Sequence, residues 1–142
     1  MAEGVYNREK ANLLNKLVDH SNGGDTFKII LLDNSHSFDP DDNVLSDIST
    51  NEIGGSGTGY TTGGETLANQ AVTQDDSNDR AVWSADDVQW TTATFTAYHA
   101  VIYDDTLAGD DLVGSFDFGG AKTVTGGTFT IAFPGNRILL LV

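Results

Sequence analysis

Apolar and polar residues alternate over much of the chain after Asp25, which is the pattern of β-strands that turn one face to a core. The longest example is "VQWTTATFTAYHAVIYDD", with Phe95, Ala97, His99, Val101 and Tyr103 on one face. The other face is also partly apolar, and β-branched and aromatic residues are frequent. This segment predicts a long strand near the centre of a sheet.

Further strands are predicted at "TFKIILLD", "LVGSFDFGG", "GTFTIAFPG" and "NRILLLV". Turn signals separate them at "YDDTLAGDD", "FGGAKTVTGG" and "FPGN". Roughly seven to nine strands with little helix indicate a mainly β fold, an antiparallel β-sandwich of jelly-roll type.

The first residues have a different pattern, with apolar side chains three and four positions apart, which predicts one short N-terminal helix that stops at Gly23 or Gly24. The chain therefore divides into an N-terminal helical segment, 1–24, and a single β-sandwich domain, 25–142. The stripe can pack on a sheet of its own domain or on another protein, and the sequence leaves both open. Its residues are Tyr6, Leu13, Leu14, Leu17 and Val18.

The stretch "GYTTGGET" at 59–66 is close to the phosphate-binding pattern G-x-x-x-x-G-K-[ST], but Glu65 replaces the lysine. A carboxylate there would repel phosphate, and no buried strand and helix flank the loop. We interpret it as a glycine-rich surface loop. As an adaptable contact segment, it would offer Gly57, Gly59 and Tyr60 to a partner protein.

Charge and composition exclude several partners. The 7 basic and 21 acidic residues give a formal net charge of −14, which disfavours nucleic acid and anionic membrane surfaces. There is no cysteine, so disulfides, thiolate metal sites and a thiol nucleophile are excluded. We expect a soluble protein, because no signal peptide is recognisable and "ILLLV" is too short to span a bilayer.

No motif predicts a catalytic site or a cofactor. His20, His36 and His99 lack zinc-site spacing, and no G-x-S-x-G is present. The stretches "DPDDN" and "DDSND" resemble calcium loops but lack the glycine and the final glutamate of an EF-hand. A looser calcium site stays open beside the alternative of solvated turns, and we expect a protein that is not an enzyme.

The ordered series "FKIILLD", "GTGYTTGG", "DDVQW", "YHAVIYDD" and "GGTFTIAFPGNRILLL" resembles small virion structural proteins of tailed bacteriophages, of the capsid decoration or cement type. The resemblance implies a jelly-roll domain, made in the host cytoplasm, that binds the major capsid protein on the outer surface of the virion. It also implies a homotrimer that stabilises the shell without catalysis. Many weak contacts on a repeating lattice would add up to firm binding. The candidate interface residues are Leu13, Leu14, Leu17, Gly57, Gly59 and Tyr60.

The sequence leaves two alternative functions open. The chain could be a tail, neck or fibre component, or a fibre module that binds a glycan or receptor. In the glycan-binding alternative, Trp83, Trp90, Tyr60 or Tyr98 would serve as stacking platforms, although core packing is the commoner role of such rings.

Overall fold

The computed structural model describes residues 4–142 and shows a mainly β protein, with 47% of residues in strands and 14% in helices. The predicted mainly β class and its antiparallel sheets are confirmed. The strands are β1 (Gly4–Val5), β2 (Phe27–Leu32), β3 (Glu65–Thr66), β4 (Ala71–Asp75), β5 (Arg80–Ser84), β6 (Val88–Asp104), β7 (Asp111–Ile131) and β8 (Arg137–Leu141). The helices are α1 (Asn7–Asn15) and α2 (Leu45–Ile48), with single 3₁₀ turns at Ser49–Asn51 and Pro134–Asn136.

The strands form two antiparallel sheets that share a core. One sheet has the order β1-β7-β6-β2-β3 and the other the order β4-β5-β8. Phe27 of the first sheet meets Trp83 of the second, with ring centroids 4.8 Å apart. Strand β2 has five buried side chains among six, and each fully buried large apolar side chain contributes about 1.5–3 kcal/mol to folding.

Strand β6 lies between β7 and β2 and is central, as predicted, but its faces are not the predicted ones. The pairing of β6 with β7 shifts register between Ala97 and His99. Beyond this irregularity Ala100 joins the main core with Phe95, whereas Val101 belongs to a second apolar cluster on the other side of the sheet. Strict alternation fails because a bulge reverses the facing of every later residue.

Strand β7 runs through the region where "FGGAKTVTGG" predicted a turn, so that prediction is wrong. Gly119, Gly120 and Gly126 have positive φ, and the long partner β6 continues alongside them. Glycines in a strand are also compatible with bulges, and here they lie within one strand of 21 residues whose pairing with β6 shifts register. The predicted turns between β6 and β7 and at 133–136 are confirmed.

Helix α1 is shorter than predicted. Its C-cap is Lys16, which adopts a left-handed conformation with φ of 58°, so the predicted stop at Gly23 or Gly24 is wrong. Strand β1 precedes the helix and pairs with β7, a connection that the sequence pattern did not indicate. Residues 4–15 are therefore joined directly to the five-stranded sheet.

Candidate protein-binding surface

Polar side chains attach helix α1 to the rest of the protein. Asp111, at the start of β7, accepts hydrogen bonds from Arg8 Nε at 2.7 Å and from Asn12 Nδ2 at 2.8 Å. Both the Asn12 side chain and the Asp111 carboxylate are buried. The inward face of this helix is therefore set by charge-assisted hydrogen bonds.

A second buried polar contact lies beside the first. His20 Nε2 is 2.5 Å from Glu9 Oε1, and both residues are buried. The His20 ring stacks on Phe27 at 4.7 Å and contacts Trp83 at 4.2 Å. This histidine links the helix and its following loop to the main core, and within the described part of the chain it belongs to no group arranged to hold a metal ion.

The predicted apolar stripe is divided between the core and the surface. Tyr6 is buried and Val18 packs against the main core, whereas the three leucines between them are at least partly exposed. Leu14 is 86% exposed, Leu17 57% and Leu13 36%, and we call these three residues the leucine face. Of the two alternatives that the sequence left open, packing of the stripe on its own sheet is therefore not observed for these leucines. The reason is that burying Glu9 and Asn12 with partners fixes the helix rotation and turns the leucines to solvent.

An apolar groove of about 380 Å³ lies beside the leucine face, between α1 and the three-stranded sheet. Among the described residues that line it, only Lys10 and His20 have an ionisable side chain, although the chain has 21 acidic residues. Exposed Val72 and Leu141 lie along it. The groove is lined by Val5, Lys10, Leu13, His20, Val72, Ala81, Val82, Trp83, Leu139, Leu140, Leu141 and Val142.

The glycine-rich loop packs partly against the protein. Tyr60, predicted to contact a partner, is only 3% exposed; its hydroxyl donates to Glu52 Oε1 at 2.6 Å and accepts from Leu31 N at 3.2 Å. The contact prediction for Tyr60 is wrong in this structure, because its ring completes the core. Gly57 and Gly59 are exposed, so they remain available for contact.

The candidate stacking platforms for a glycan are mostly inside the protein. Trp83, Trp90 and Tyr60 are buried, and Tyr98 is half-buried. Trp90 packs among Tyr60, Phe95 and Phe129. The three buried rings stabilise the core and do not offer a flat face to a sugar.

Folding brings together two histidines that the sequence separates. The rings of His36 and His99 are 5.1 Å apart, and His36 Nε2 is 3.4 Å from Ser115 Oγ. Burial, and then the nearby His99, lower the pKa of His36 below its ordinary value. Ser115 is completely buried, so a substrate could not reach its hydroxyl in this arrangement.

The candidate calcium loops are turns closed by their own side chains. Asp39 Oδ1 accepts a hydrogen bond from the Asp41 backbone, and the Asp75 carboxylate accepts from Asn78 and Arg80. These bonds lower the pKa of Asp75. Among residues 4–142 no group of three or more histidine or acidic side chains is arranged to hold a metal ion.

Asp104, at the end of β6, is a buried acidic residue with a raised pKa. Burial, with a further contribution from the Asp25 carboxylate, raises its pKa from 3.8 to about 6, although the backbone N–H groups of Thr106 and Leu107 donate to it. The folded state therefore binds the proton more tightly than the unfolded state. The resulting stabilisation is complete below pH 4 and is lost as the pH rises through about 6.

We predict that Asp104→Asn stabilises the protein at neutral pH. The amide keeps the oxygen that accepts the two backbone hydrogen bonds and removes the charge, so we expect a gain of about 1–3 kcal/mol at pH 7 and almost none at pH 4. Urea denaturation of the original protein and of the variant, between pH 4 and pH 7, measures the difference in their free energies of unfolding. Asp105→Asn is the matched control, since Asp105 is partly exposed and paired with Lys28. An equal gain for both variants, or a gain independent of pH, would contradict the assignment.

Comparison of the chain with protein-family models, with curated proteins and with solved structures gave no match. Within the described part of the chain, no helix has the length and apolar character needed to cross a membrane.

Proposed function

We propose that the protein is a non-enzymatic structural protein of a phage virion that attaches to the outer capsid surface through its leucine face. The observation that carries the proposal is the orientation of α1 and of the residues directly after it, which buries Glu9 and Asn12 and exposes the leucine face. Clustered exposed apolar side chains on a soluble domain are typical of protein interaction sites. The resemblance to decoration proteins supplies the partner, the major capsid protein.

The rest of the molecule suits such a role. The acidic surface disfavours non-specific binding to nucleic acid during assembly. The fold presents Leu13 and Leu14 on a helix, and Leu17 directly after its C-cap, and polar contacts to Asp111 hold this helix in place, so little ordering cost would accompany binding. The jelly-roll arrangement implied by the resemblance is part of the same proposal, and an experimental structure on the shell would test its strand connections.

Cryo-electron microscopy of the virion that carries this chain tests the location. We expect density for 15.1 kDa subunits on the outer capsid surface, with the leucine face against the shell. Density only on the tail, neck or fibres would overturn the decoration role, while a structural role in the virion would stand. Density on the capsid with the leucine face turned to solvent would overturn the proposed contact.

We predict that the double substitution Leu14→Asp and Leu17→Asp weakens binding to the shell by about tenfold or more, since it places charge in an apolar contact. Both side chains are exposed, so folding should be unaffected. Co-sedimentation with virions depleted of the protein measures the affinity. The matched control is Thr125→Asp with Thr128→Asp, which adds the same charge on an exposed part of β7. Equal binding of the two double variants would rule out the leucine face.

A further inference from the structure

Strand β8 is an open edge of the three-stranded sheet. It pairs with β5 on one side, with Leu139 opposite Trp83 and Leu141 opposite Ala81. Among residues 4–142 no strand pairs with its other side, and no backbone hydrogen bond outside the sheet is made by residues 137–141. An edge of this kind presents unpaired N–H and C=O groups that can accept another strand.

The other sheet edges are protected in ways that β8 is not. Strands β1 and β3 have two residues each, which limits pairing. Strand β4 has the polar sequence "AVTQD" and ends in the charged Asp75. Strand β8 reads "RILLL", with its only charge at Arg137. Natural proteins usually blunt an edge by shortness or charge, so an apolar edge of five residues indicates a site where another strand adds.

The charge distribution indicates which strand could approach. The net charge of −14 makes two copies of this chain repel one another over most orientations. Among the described residues, the apolar groove beside β8 has no acidic lining residue and carries Lys10. A second groove, beside Leu141 at the far end of the strand, is lined by Asp76 and Asp79 together with Arg80. Arg137 adds a positive charge at the start of the strand. In an antiparallel pair of two copies, Arg137 of one copy comes to the end of β8 where the other copy carries Asp76 and Asp79, so opposite charges face each other at both ends of the contact.

We propose that β8 pairs in antiparallel fashion with β8 of a second copy of this chain, across a two-fold axis near Leu139. Such a contact is self-complementary, because both copies contribute the same strand edge. The two three-stranded sheets become one sheet of six strands. Leu139 faces its own counterpart, and Ile138 lies opposite Leu140 of the partner subunit.

This register brings Arg137 opposite Leu141 of the partner subunit, twice per dimer by symmetry. Leu139 and Leu141 of both copies share one face of the extended sheet, since residues opposite each other in an antiparallel pair point to the same side. The dimer therefore covers Leu141, which is 66% exposed in the single chain. Two leucine faces in one particle would also give bivalent attachment to a shell, although self-association does not depend on the proposed function.

The test compares two substitutions of opposite charge at position 141. Leu141→Arg sets like charges opposite each other, whereas Leu141→Glu sets a carboxylate opposite Arg137. Because a directly opposed charge pair changes pairing modestly and the contact occurs twice, we expect the arginine variant to dissociate about tenfold more readily than the glutamate variant. Adding Arg137→Glu to the arginine variant should restore association. Thr125→Arg and Thr125→Glu are controls for net charge.

Light scattering and native mass spectrometry of the complete chain, without virions, give the readout. We expect twice the chain mass of 15.1 kDa. A monomer at every concentration, a monomer carrying a bound apolar molecule, or the trimer that the resemblance implies would each overturn the two-fold pairing. Equal dissociation of the two charge variants would overturn the register. Loss of shell binding in the leucine-face variant with an intact dimer would support the proposed capsid contact and show that the pairing does not depend on it, so the two proposals fail separately.

Discussion

Replacing Gly64 with alanine is expected to destabilise the protein by about 4 kcal/mol or more, which is exceptional for one methyl group. A Cβ at this position would lie 2.0 Å from the backbone oxygen of Ile29, and Gly64 also has a φ of 78°. The left-handed conformation alone costs an alanine about 1–2 kcal/mol. The remainder arises because Ile29 is in the central part of β2 and its backbone cannot move aside without breaking the pairing with β6.

Gly63→Ala is the matched control for this prediction. Gly63 has a similar φ of 93°, but its Cβ would meet only the Tyr103 hydroxyl, at 3.8 Å. We therefore expect Gly63→Ala to lose only the conformational cost of about 1–2 kcal/mol, and Gly64→Ala at least twice as much. Thermal and urea denaturation, followed by circular dichroism, give the free energies of unfolding of the two variants. Equal losses in the two variants would show that the close approach to β2 is not what requires glycine.

Replacing Asp111 with alanine is expected to cost about 3 kcal/mol and to release helix α1. The carboxylate accepts from Arg8 and Asn12, and the Asn12 amide would be left buried without this acceptor. Hydrogen bonds to a charged group contribute about 1.5–3 kcal/mol, and an unsatisfied buried donor adds a further cost. Hydrogen exchange should show faster exchange of the amides of residues 10–15, and binding to the shell should weaken because the leucine face is no longer held.

Asp41→Ala provides the comparison for Asp111→Ala. Asp41 also accepts a hydrogen bond from α1, from Asn7 Nδ2 at 2.8 Å, but that contact is exposed. Its loss should cost less than about 1 kcal/mol and leave hydrogen exchange in the helix almost unchanged. If the two variants exchanged equally, burial of the Asp111 contacts would not be what fixes the helix.

Local patterns predicted the strands well where apolar alternation was sustained. The segments that became β2, β6 and β8 were recognised from β-branched and apolar runs, and their bounds agree closely with the structure. Prediction failed at β7, because the same glycines fit a turn or a strand with bulges, and only the presence of a long partner decides between them. The prediction for Tyr60 failed for a related reason, because its neighbours in sequence are typical of an exposed loop and its burial depends on residues far away in the chain.

The candidate site was predicted in part. Leu13, Leu14 and Leu17 were recognised as a stripe, but periodicity identifies only which residues share a face and not which way that face turns. The orientation depends on Asp111, 99 positions from Asn12, and on His20. The apolar groove was not predicted, because its lining comes from four separate segments of the chain.

The sequence by itself determined the mainly β class, the N-terminal helix, the absence of cysteine chemistry and an acidic surface, because composition and short-range periodicity express these properties directly. Tertiary structure alone decided the outward turn of the leucines, the burial of Tyr60, the pairing of His36 with His99 and the open edge at β8. Each of these depends on contacts between segments far apart in the chain, and the free energy of a buried polar pair or a close backbone approach can override a local preference.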